Sequence, residues 1–214
     1  MARSTDAQKA ERLNAAHSLL ARGTGMAEAV VLLSRQFGLS RRQAYRYVQE
    51  AQAIGLASTI HDLGKLSLSD EVLHKAGKLT PEDWAQMRGH PQHGERLIGR
   101  SPKFDTERIV TRWHHERWDG TGYPDGLRGE AIPIAARIVA VADAFDALTT
   151  ERPYKRAWTL GEAVDELVAS RGRLFCPRVI DALESLWRSG RLAEIYEAAE
   201  LDEHGPAYKR RRAA

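Results

Sequence analysis

Cysteine is almost absent from this sequence. The 214 residues include a single cysteine, Cys176, so no disulfide can form within the chain. A chain without disulfides fits a reducing compartment, and the lack of a cysteine cluster argues against a structural zinc site. We interpret Cys176 as a packing residue.

Long apolar runs are absent as well. The most apolar stretch, residues 131–142, is too short to cross a bilayer and contains Arg137. The first residues include Arg3, Asp6 and Lys9, and they do not resemble a secretory signal. We therefore expect a cytoplasmic protein that does not associate with membranes.

Neither sign of charge dominates the chain. Lys and Arg total 32 against 29 Asp and Glu, which gives a formal net charge of +3. This small excess does not by itself predict strong binding to nucleic acid. Hydrophobic residues make up 43% of the chain and charged residues 29%, as is typical of a globular protein. The length suits one large domain, or a medium domain plus a small one.

The basic residues are concentrated near the N-terminus, where three helices are predicted. Residues 1–58 contain eight Arg or Lys against four Asp or Glu. We expect helices over residues 6–22, 26–37 and 41–53, and Ser40 with Gln43 forms a capping-box pattern before the third. The arrangement resembles the helix-turn-helix modules of bacterial and phage DNA-binding proteins, so residues 26–53 could contact DNA. A helical cap or dimerisation element with a solvated basic face is an equally open interpretation.

From about residue 55 onward every strong pattern is helical. Thr80 before Pro81, and Thr159 with Glu162, are typical of helix starts. Further helices are predicted over residues 108–115, 134–148, 160–170, 177–187 and 188–200. Neither the alternation of a strand nor an internal repeat is visible. The predicted fold class is all-α.

Histidine and aspartate side chains distributed through these helices are candidate metal ligands. Imidazole and carboxylate together suit first-row transition metals such as iron, manganese or nickel. Asp143 lies in an apolar stretch, where a metal ion would offset the cost of a buried carboxylate. The candidates are His61, Asp62, His90, His114, His115 and Asp143. The histidines that we interpret as ordinary core or surface residues are His17, His74 and His204.

The residue types at positions 114–124 are poorly suited to a hydrophobic core. His114 and His115 are followed by acidic residues and by a loop that contains Gly120, Gly122 and Pro124. Buried imidazoles need partners, and glycines cost chain entropy on folding. A metal site bordered by a shaped loop would use all of these residues.

In their order along the chain, these motifs resemble the HD-GYP family of bacterial phosphodiesterases, which hydrolyse the second messenger cyclic di-GMP. The motifs are HDLGK at 61–65, HPQHG at 90–94, HHERWDGTGYP at 114–124, DAFDAL at 143–148 and RPYK at 152–155. The resemblance covers roughly residues 56–187. It implies an HD-type helical bundle over residues 56–200, preceded by the helix-turn-helix-like module of residues 1–55 and followed by a basic tail over residues 201–214.

The resemblance also implies roles for individual side chains. The six candidates named above become metal ligands, and Asp62 bridges two ions. Lys65, Arg152 and Lys155 match positions that contact substrate phosphate or guanine, and Tyr123 lies in the signature loop that borders the site. Asp62 and Lys65 are the residues expected to act in catalysis. Without the resemblance, Arg152 and Lys155 would be interpreted as a solvated helix end.

The implied reaction is hydrolysis of cyclic di-GMP by water activated between two metal ions, with a homodimer as one expected arrangement. Family members carry a further histidine on an earlier helix, but the matching window here, residues 28–31, contains none. His17 or Glu28 could substitute. Otherwise the ion on that side binds weakly, a single ion binds, or another chain supplies the ligand. The alternative function is a DNA-binding or nucleotide-sensing regulator with an inactive domain. Cys176 stands where family members often have an aspartate before the proline.

Overall fold

The computed structural model describes residues 6–21, 24–151 and 156–203. These residues form α-helices joined by short loops and by 3₁₀ turns at Leu63–Ser67, Pro102–Phe104 and Gly129–Ala131. The α-helices are α1 (Asp6–Ala21), α2 (Met26–Phe37), α3 (Arg41–Ile60), α4 (Asp70–Leu73), α5 (Pro81–Met87), α6 (His90–Ile98), α7 (Asp105–Trp113), α8 (Ile134–Thr149), α9 (Leu160–Ala169), α10 (Pro177–Arg188) and α11 (Arg191–Glu203). An isolated bridge between Arg171 and Phe175 is the only strand-like pairing in the described part of the chain. The prediction of an all-α fold is confirmed.

Side-chain caps start several helices where the sequence predicted them. Ser40 caps α3, Thr80 caps α5 and Thr159 caps α9, each through a complete capping box. Each box satisfies backbone N–H groups that have no partner within the first helical turn. These three predicted helix starts are therefore confirmed.

Helix α3 is longer than predicted. It was expected to end near residue 53, but it continues through Gly55 to Ile60. A helical glycine costs roughly 1 kcal/mol relative to alanine. Burial of Ile54 and Ala57 on either side of the glycine outweighs that cost. The extended helix carries the chain directly to His61.

The N-terminal helices share one hydrophobic core with the middle of the chain. Leu13 of α1, Leu33 of α2 and Val48 of α3 belong to the same buried cluster as Val110 of α7 and Val139 of α8. The predicted boundary between residues 1–55 and 56–200 lies within the continuous helix α3. That division and the helix-turn-helix interpretation stay predictions.

A second buried cluster joins α8, α9 and α10. Val164, Leu167 and Ile180 are almost fully buried in it, together with Cys176. The interpretation of Cys176 as a packing residue agrees with its burial. No helix in residues 6–21, 24–151 or 156–203 combines the length and apolarity needed to cross a membrane.

Candidate metal centre

Separate helix ends bring the candidate ligands to one place. His61 is the C-cap residue directly after α3, and Asp62 follows it. His90 is the first residue of α6, and His114 is the C-cap residue directly after α7. Asp143 lies within α8. Side chains that are far apart in the sequence therefore converge because the ends of α3, α6 and α7 meet beside the middle of α8.

Four of the candidates form a compact group of donors. Asp62, His90, His114 and His115 each offer one ligand atom, and these atoms all lie within 4.8 Å of one another. Oδ1 of Asp62 is 3.2 Å from Nε2 of His90 and 3.8 Å from Nε2 of His114. Three imidazole nitrogens and one carboxylate oxygen are a donor set that could hold a transition metal ion.

The other two candidates lie beside the second oxygen of Asp62. Nε2 of His61 is 3.4 Å from Oδ2 of Asp62 and 3.6 Å from Oδ1 of Asp143. The two oxygens of Asp62 therefore face two different groups of donors. This geometry would allow one carboxylate to bridge two ions.

The backbone fixes the tautomers of three histidines. Nδ1 of His61 lies 2.7 Å from the carbonyl oxygen of Ser58, and Nδ1 of His90 lies 2.7 Å from that of Met87. Nδ1 of His114 lies 3.0 Å from the carbonyl oxygen of Thr111. A carbonyl only accepts hydrogen bonds, so each Nδ1 carries the proton. Nε2 is then the ring atom that is left to bind a metal ion, which it does through its lone pair once it carries no proton.

The residues present fit a bound cation. Nε2 of His61 and Oδ1 of Asp62 are buried and have no hydrogen-bond partner among the described residues. Nε2 of His90 and Oδ1 of Asp62 are both acceptors in this arrangement, although they lie 3.2 Å apart. Facing acceptors in a buried site repel each other unless a positive charge lies between them. A metal ion would remove this repulsion.

Burial keeps the two adjacent histidines neutral. Burial, together with the neighbouring imidazoles of His61 and His90, lowers the pKa of His114 to about 4. Burial and the imidazoles of His114 and His90 lower the pKa of His115 to about 2. Both side chains are therefore uncharged at neutral pH, which is the form that binds metal.

His61 behaves differently because it faces two carboxylates. Burial lowers its pKa, but the contacts with Asp143 and Asp62 outweigh burial and raise the pKa to about 10. Burial also opposes ionisation of Asp62, yet His61 and Lys65 hold the pKa of that carboxyl well below its usual range. In the metal-free protein a proton on His61 therefore balances the carboxylates, and a metal ion would replace it.

Lys65 lies at the open side of the site. Its Nζ donates a hydrogen bond of 2.5 Å to Oδ2 of Asp62, and its side chain is 37% exposed. The ammonium group can therefore contact both the centre and a ligand that approaches from solvent.

Loop residues 117–129 are tied to α7 by two carboxylates that the prediction of ligands missed. Buried Glu116 accepts the backbone N–H of Asp125 at 2.7 Å and that of Leu127 at 3.0 Å. Asp125 in turn accepts Nε of Arg112 at 2.8 Å and Nε1 of Trp113 at 2.7 Å. The position of Glu116 directly after two histidines was the only sequence signal of this role.

Tyr123 stands at the edge of the centre. Its ring centroid lies 4.9 Å from that of His115, and the guanidinium of Arg88 lies 5.7 Å from the Tyr123 ring. Sequence reasoning singled out Tyr123 but missed Arg88, because nothing in the local pattern links the two.

Several predicted contributors are not part of the described cluster. Arg152 and Lys155 lie outside the described residues, as do residues 204–214 of the basic tail. The side chain of His17 is likewise not described. Glu28 is exposed on α2 and does not belong to the group of four donors.

Comparison with known proteins identifies similar sequences. A family described as HD domain matches residues 13–179. The cyclic di-GMP phosphodiesterase response regulator RpfG of Xanthomonas campestris is 49% identical over 160 residues, which cover 74% of this chain and 40% of RpfG. A cyclic di-GMP phosphodiesterase of Thermotoga maritima is 41% identical over 70% of this chain and 40% of its own length. The 3′3′-cGAMP-specific phosphodiesterase 2 of Vibrio cholerae is 38% identical over 76% of this chain and 34% of its own length.

Two solved structures share the fold. Bd1817 of Bdellovibrio bacteriovorus, described as an HDG"Y"P protein, has a TM-score of 0.51 and 21% identity over 87% of this chain and 55% of its own. The cyclic GMP-AMP specific phosphodiesterase V-cGAP3 of V. cholerae has a TM-score of 0.53 and 19% identity over 92% of this chain and 53% of its own. At this level of identity the likeness concerns the fold alone.

Proposed function

Because this chain belongs to the HD domain family, we propose that it is a metal-dependent phosphodiesterase that hydrolyses cyclic di-GMP. The observation that carries the proposal is the group formed by Asp62, His90, His114 and His115, whose ligand atoms lie within 4.8 Å of one another. A phosphodiester is a poor electrophile, and phosphodiesterases commonly use such a centre to activate water and neutralise the phosphate.

The relatives support this substrate class. RpfG and the T. maritima relative are named for cyclic di-GMP, and the V. cholerae relative is named for 3′3′-cGAMP. The chain spans 34% to 40% of the length of these relatives. A cyclic dinucleotide is the substrate class that their names have in common.

The donor set suggests the cofactor. Iron, manganese or nickel suits a mixture of imidazole and carboxylate, and a bound pair of such ions would supply a nucleophilic water and Lewis-acid stabilisation of the phosphate. His90, His114 and His115 with Asp62 would hold one ion. His61 and Asp143 with the other oxygen of Asp62 would hold a second, which has one donor fewer and therefore binds more weakly.

The side chains have separate tasks in this proposal. Asp62 joins the two groups of donors. Lys65 holds Oδ2 of Asp62 and presents positive charge to the phosphate, where charge accumulates in the transition state. Tyr123 borders the space in which a substrate would lie. Arg152 and Lys155 keep their predicted contacts with phosphate or guanine.

An inactive regulator is the less favoured function. That alternative depends on the missing upstream histidine, whereas the four-donor group needs no residue from that helix. Loss of the weaker ion would reduce turnover and leave the stronger site able to bind metal.

Hydrolysis of a panel of substrates tests the proposal. Protein loaded with Mn²⁺ or Fe²⁺ is incubated with cyclic di-GMP and with 3′3′-cGAMP, and the products are separated by chromatography. We expect hydrolysis of cyclic di-GMP and about a 100-fold lower kcat for Lys65→Ala, because one preorganised cation is lost. Absence of turnover with both substrates under all metals would contradict the proposal.

The remaining predictions about partners are separate from catalysis. Arg41, Arg42 and Arg46 are exposed on α3, which supports a contact between residues 26–53 and DNA. We expect any such binding to weaken steeply with salt, and a gel-shift titration with Arg42→Ala would measure it. A homodimer would be detected by light scattering.

A further inference from the structure

Arg88 is an exposed cation close to the candidate metal centre. Arg88 is the C-cap residue of α5 and lies two residues before His90. Its neighbour Met87 accepts a hydrogen bond from Nδ1 of His90 through its carbonyl oxygen. The Arg88 guanidinium lies 5.7 Å from the centroid of the Tyr123 ring, and that ring lies 4.9 Å from the ring of His115. One aromatic ring therefore connects Arg88 to the proposed metal ligands.

No carboxylate in the described part of the chain neutralises the charge of Arg88. Among residues 6–21, 24–151 and 156–203, no carboxylate forms an ion pair with Arg88 and no acceptor takes its hydrogen bonds. Arg108 and Arg112 on α7 differ, since both pair with Glu95. The ring of Tyr123 orients the Arg88 guanidinium without occupying its N–H donors.

A cyclic dinucleotide brings two phosphodiesters, and only one of them can occupy the metal centre at a time. The other carries a full negative charge and needs a partner in the protein. A guanidinium binds a phosphate through two parallel N–H···O bonds, and a side chain that is already oriented loses less entropy on binding.

From this arrangement we infer that Arg88 binds the phosphate that is not being cleaved and is thereby a specificity-determining residue. The inference depends on the proposed function. Arg88 then selects for substrates with two phosphodiesters over substrates with one. It contributes equally to binding of the ground state and of the transition state, because the phosphate that it holds does not react.

Kinetics with two substrates test the role of Arg88. The variants are Arg88→Met, which keeps a stem over the Tyr123 ring, and Arg88→Lys, which keeps the charge. Arg100→Met is the matched control, because Arg100 is exposed beyond the C-terminal end of α6. Each metal-loaded protein is assayed with cyclic di-GMP and with bis(p-nitrophenyl) phosphate, which has one phosphodiester.

For Arg88→Met we expect KM for cyclic di-GMP to rise about tenfold with kcat within about twofold of wild type, because one charge-assisted contact is lost. The kinetics of bis(p-nitrophenyl) phosphate should be unchanged. Arg88→Lys should restore part of the loss, and Arg100→Met should equal wild type. Equal losses with both substrates would mean that Arg88 only positions His90, and an unchanged KM would also overturn the inference.

A binding measurement separates this inference from the proposed function. Calorimetric titration of the metal-free proteins with cyclic di-GMP should give a dissociation constant about tenfold weaker for Arg88→Met than for wild type. Wild-type protein that binds cyclic di-GMP through Arg88 but never hydrolyses it would contradict the proposed function alone. Hydrolysis by wild type with equal binding by both proteins would contradict the role of Arg88 alone. If metal-free wild-type protein did not bind cyclic di-GMP at all, the proposed role of Arg88 would also be contradicted.

Discussion

Gly64 packs directly against the backbone of His90. A Cβ atom at Gly64 would lie 1.8 Å from the carbonyl oxygen of His90 and 2.5 Å from the backbone nitrogen of Gly94. Only a residue without a side chain allows the turn after Asp62 to approach α6 this closely. The contact sets the distance between Asp62 and His90, which are proposed ligands of the same ion.

Replacement of Gly64 should therefore damage both stability and the metal centre. We expect Gly64→Ala to lower the free energy of unfolding by about 3 kcal/mol or more, because backbone atoms cannot yield as a flexible side chain can. Affinity for Mn²⁺ should fall as α6 moves away from Asp62. Urea unfolding and calorimetric metal titration measure the two effects.

Gly55→Ala is the matched control for this substitution. Gly55 lies within α3, and a Cβ atom there would have nothing within 4 Å. Alanine is the better helix former, so stability should rise by about 0.5–1 kcal/mol with metal affinity unchanged. If both alanine variants behaved alike, the close contact between Gly64 and His90 would not explain the position of α6.

The ion pair between Arg112 and Asp125 should make stability depend on pH. Nε and Nη2 of Arg112 each donate a hydrogen bond of 2.8 Å to Asp125. The Arg112 hydrogen bonds hold the pKa of Asp125 below its usual range, against the effect of burial. We expect Asp125→Asn to cost about 1–2 kcal/mol at pH 7, measured by urea unfolding.

The sign of the pH effect follows from the depressed pKa. The stability that Asp125 contributes is complete above its unfolded pKa of about 3.9 and is lost as the pH falls through the lower folded value. The difference between wild type and Asp125→Asn should therefore be constant from pH 7 to 5 and shrink below about pH 4. A constant difference down to pH 2.5 would refute the assignment.

A carboxylate at position 176, next to Arg137, should stabilise the protein. Arg137 is buried, its Nη1 lies 3.5 Å from Sγ of Cys176, and its Nε has no hydrogen-bond partner among the described residues. We expect Cys176→Asp to raise the free energy of unfolding by about 1–2 kcal/mol through a charge-assisted hydrogen bond, net of desolvation. Urea unfolding measures this increase as a shift of the midpoint with an unchanged m-value.

The neutral variant isolates the effect of charge at this position. Cys176→Asn has nearly the same shape as Cys176→Asp but offers no negative charge to Arg137. It should not stabilise the protein, and in an Arg137→Met background the advantage of aspartate should disappear. Equal stability of the aspartate and asparagine variants in the wild-type background would count against this account.

Much of the fold could be predicted from local patterns. Ser40, Thr80 and Thr159 marked helix starts because a capping box needs only residues three apart. That the chain belongs to the HD domain family is confirmed by the family match and by the similar proteins. The predicted end of α3 was wrong because burial of Ile54 and Ala57 outweighed the low helix propensity of Gly55. Burial depends on distant helices, which a local pattern does not show.

The parts of the site that were not predicted depend on contacts between distant residues. No sequence pattern around Gly64 predicts that this residue packs against the backbone of His90. The same is true of Arg88 and the ring of Tyr123, which are 35 positions apart in the numbering of the chain. Such pairs are fixed by the packing of α5, α6 and the loop after α7, so the sequence reveals them only once the fold is known.

Bound metal and hydrolysis, measured together, test the central claim most directly. Metal content is determined by mass spectrometry for wild type, Asp62→Ala and the exposed control Asp165→Ala, and each protein is then assayed with cyclic di-GMP. We predict at least one transition metal ion per chain and turnover for wild type and Asp165→Ala, with both properties lost in Asp62→Ala. Wild-type protein without metal or turnover, or an Asp62→Ala variant that retains both, would contradict the account.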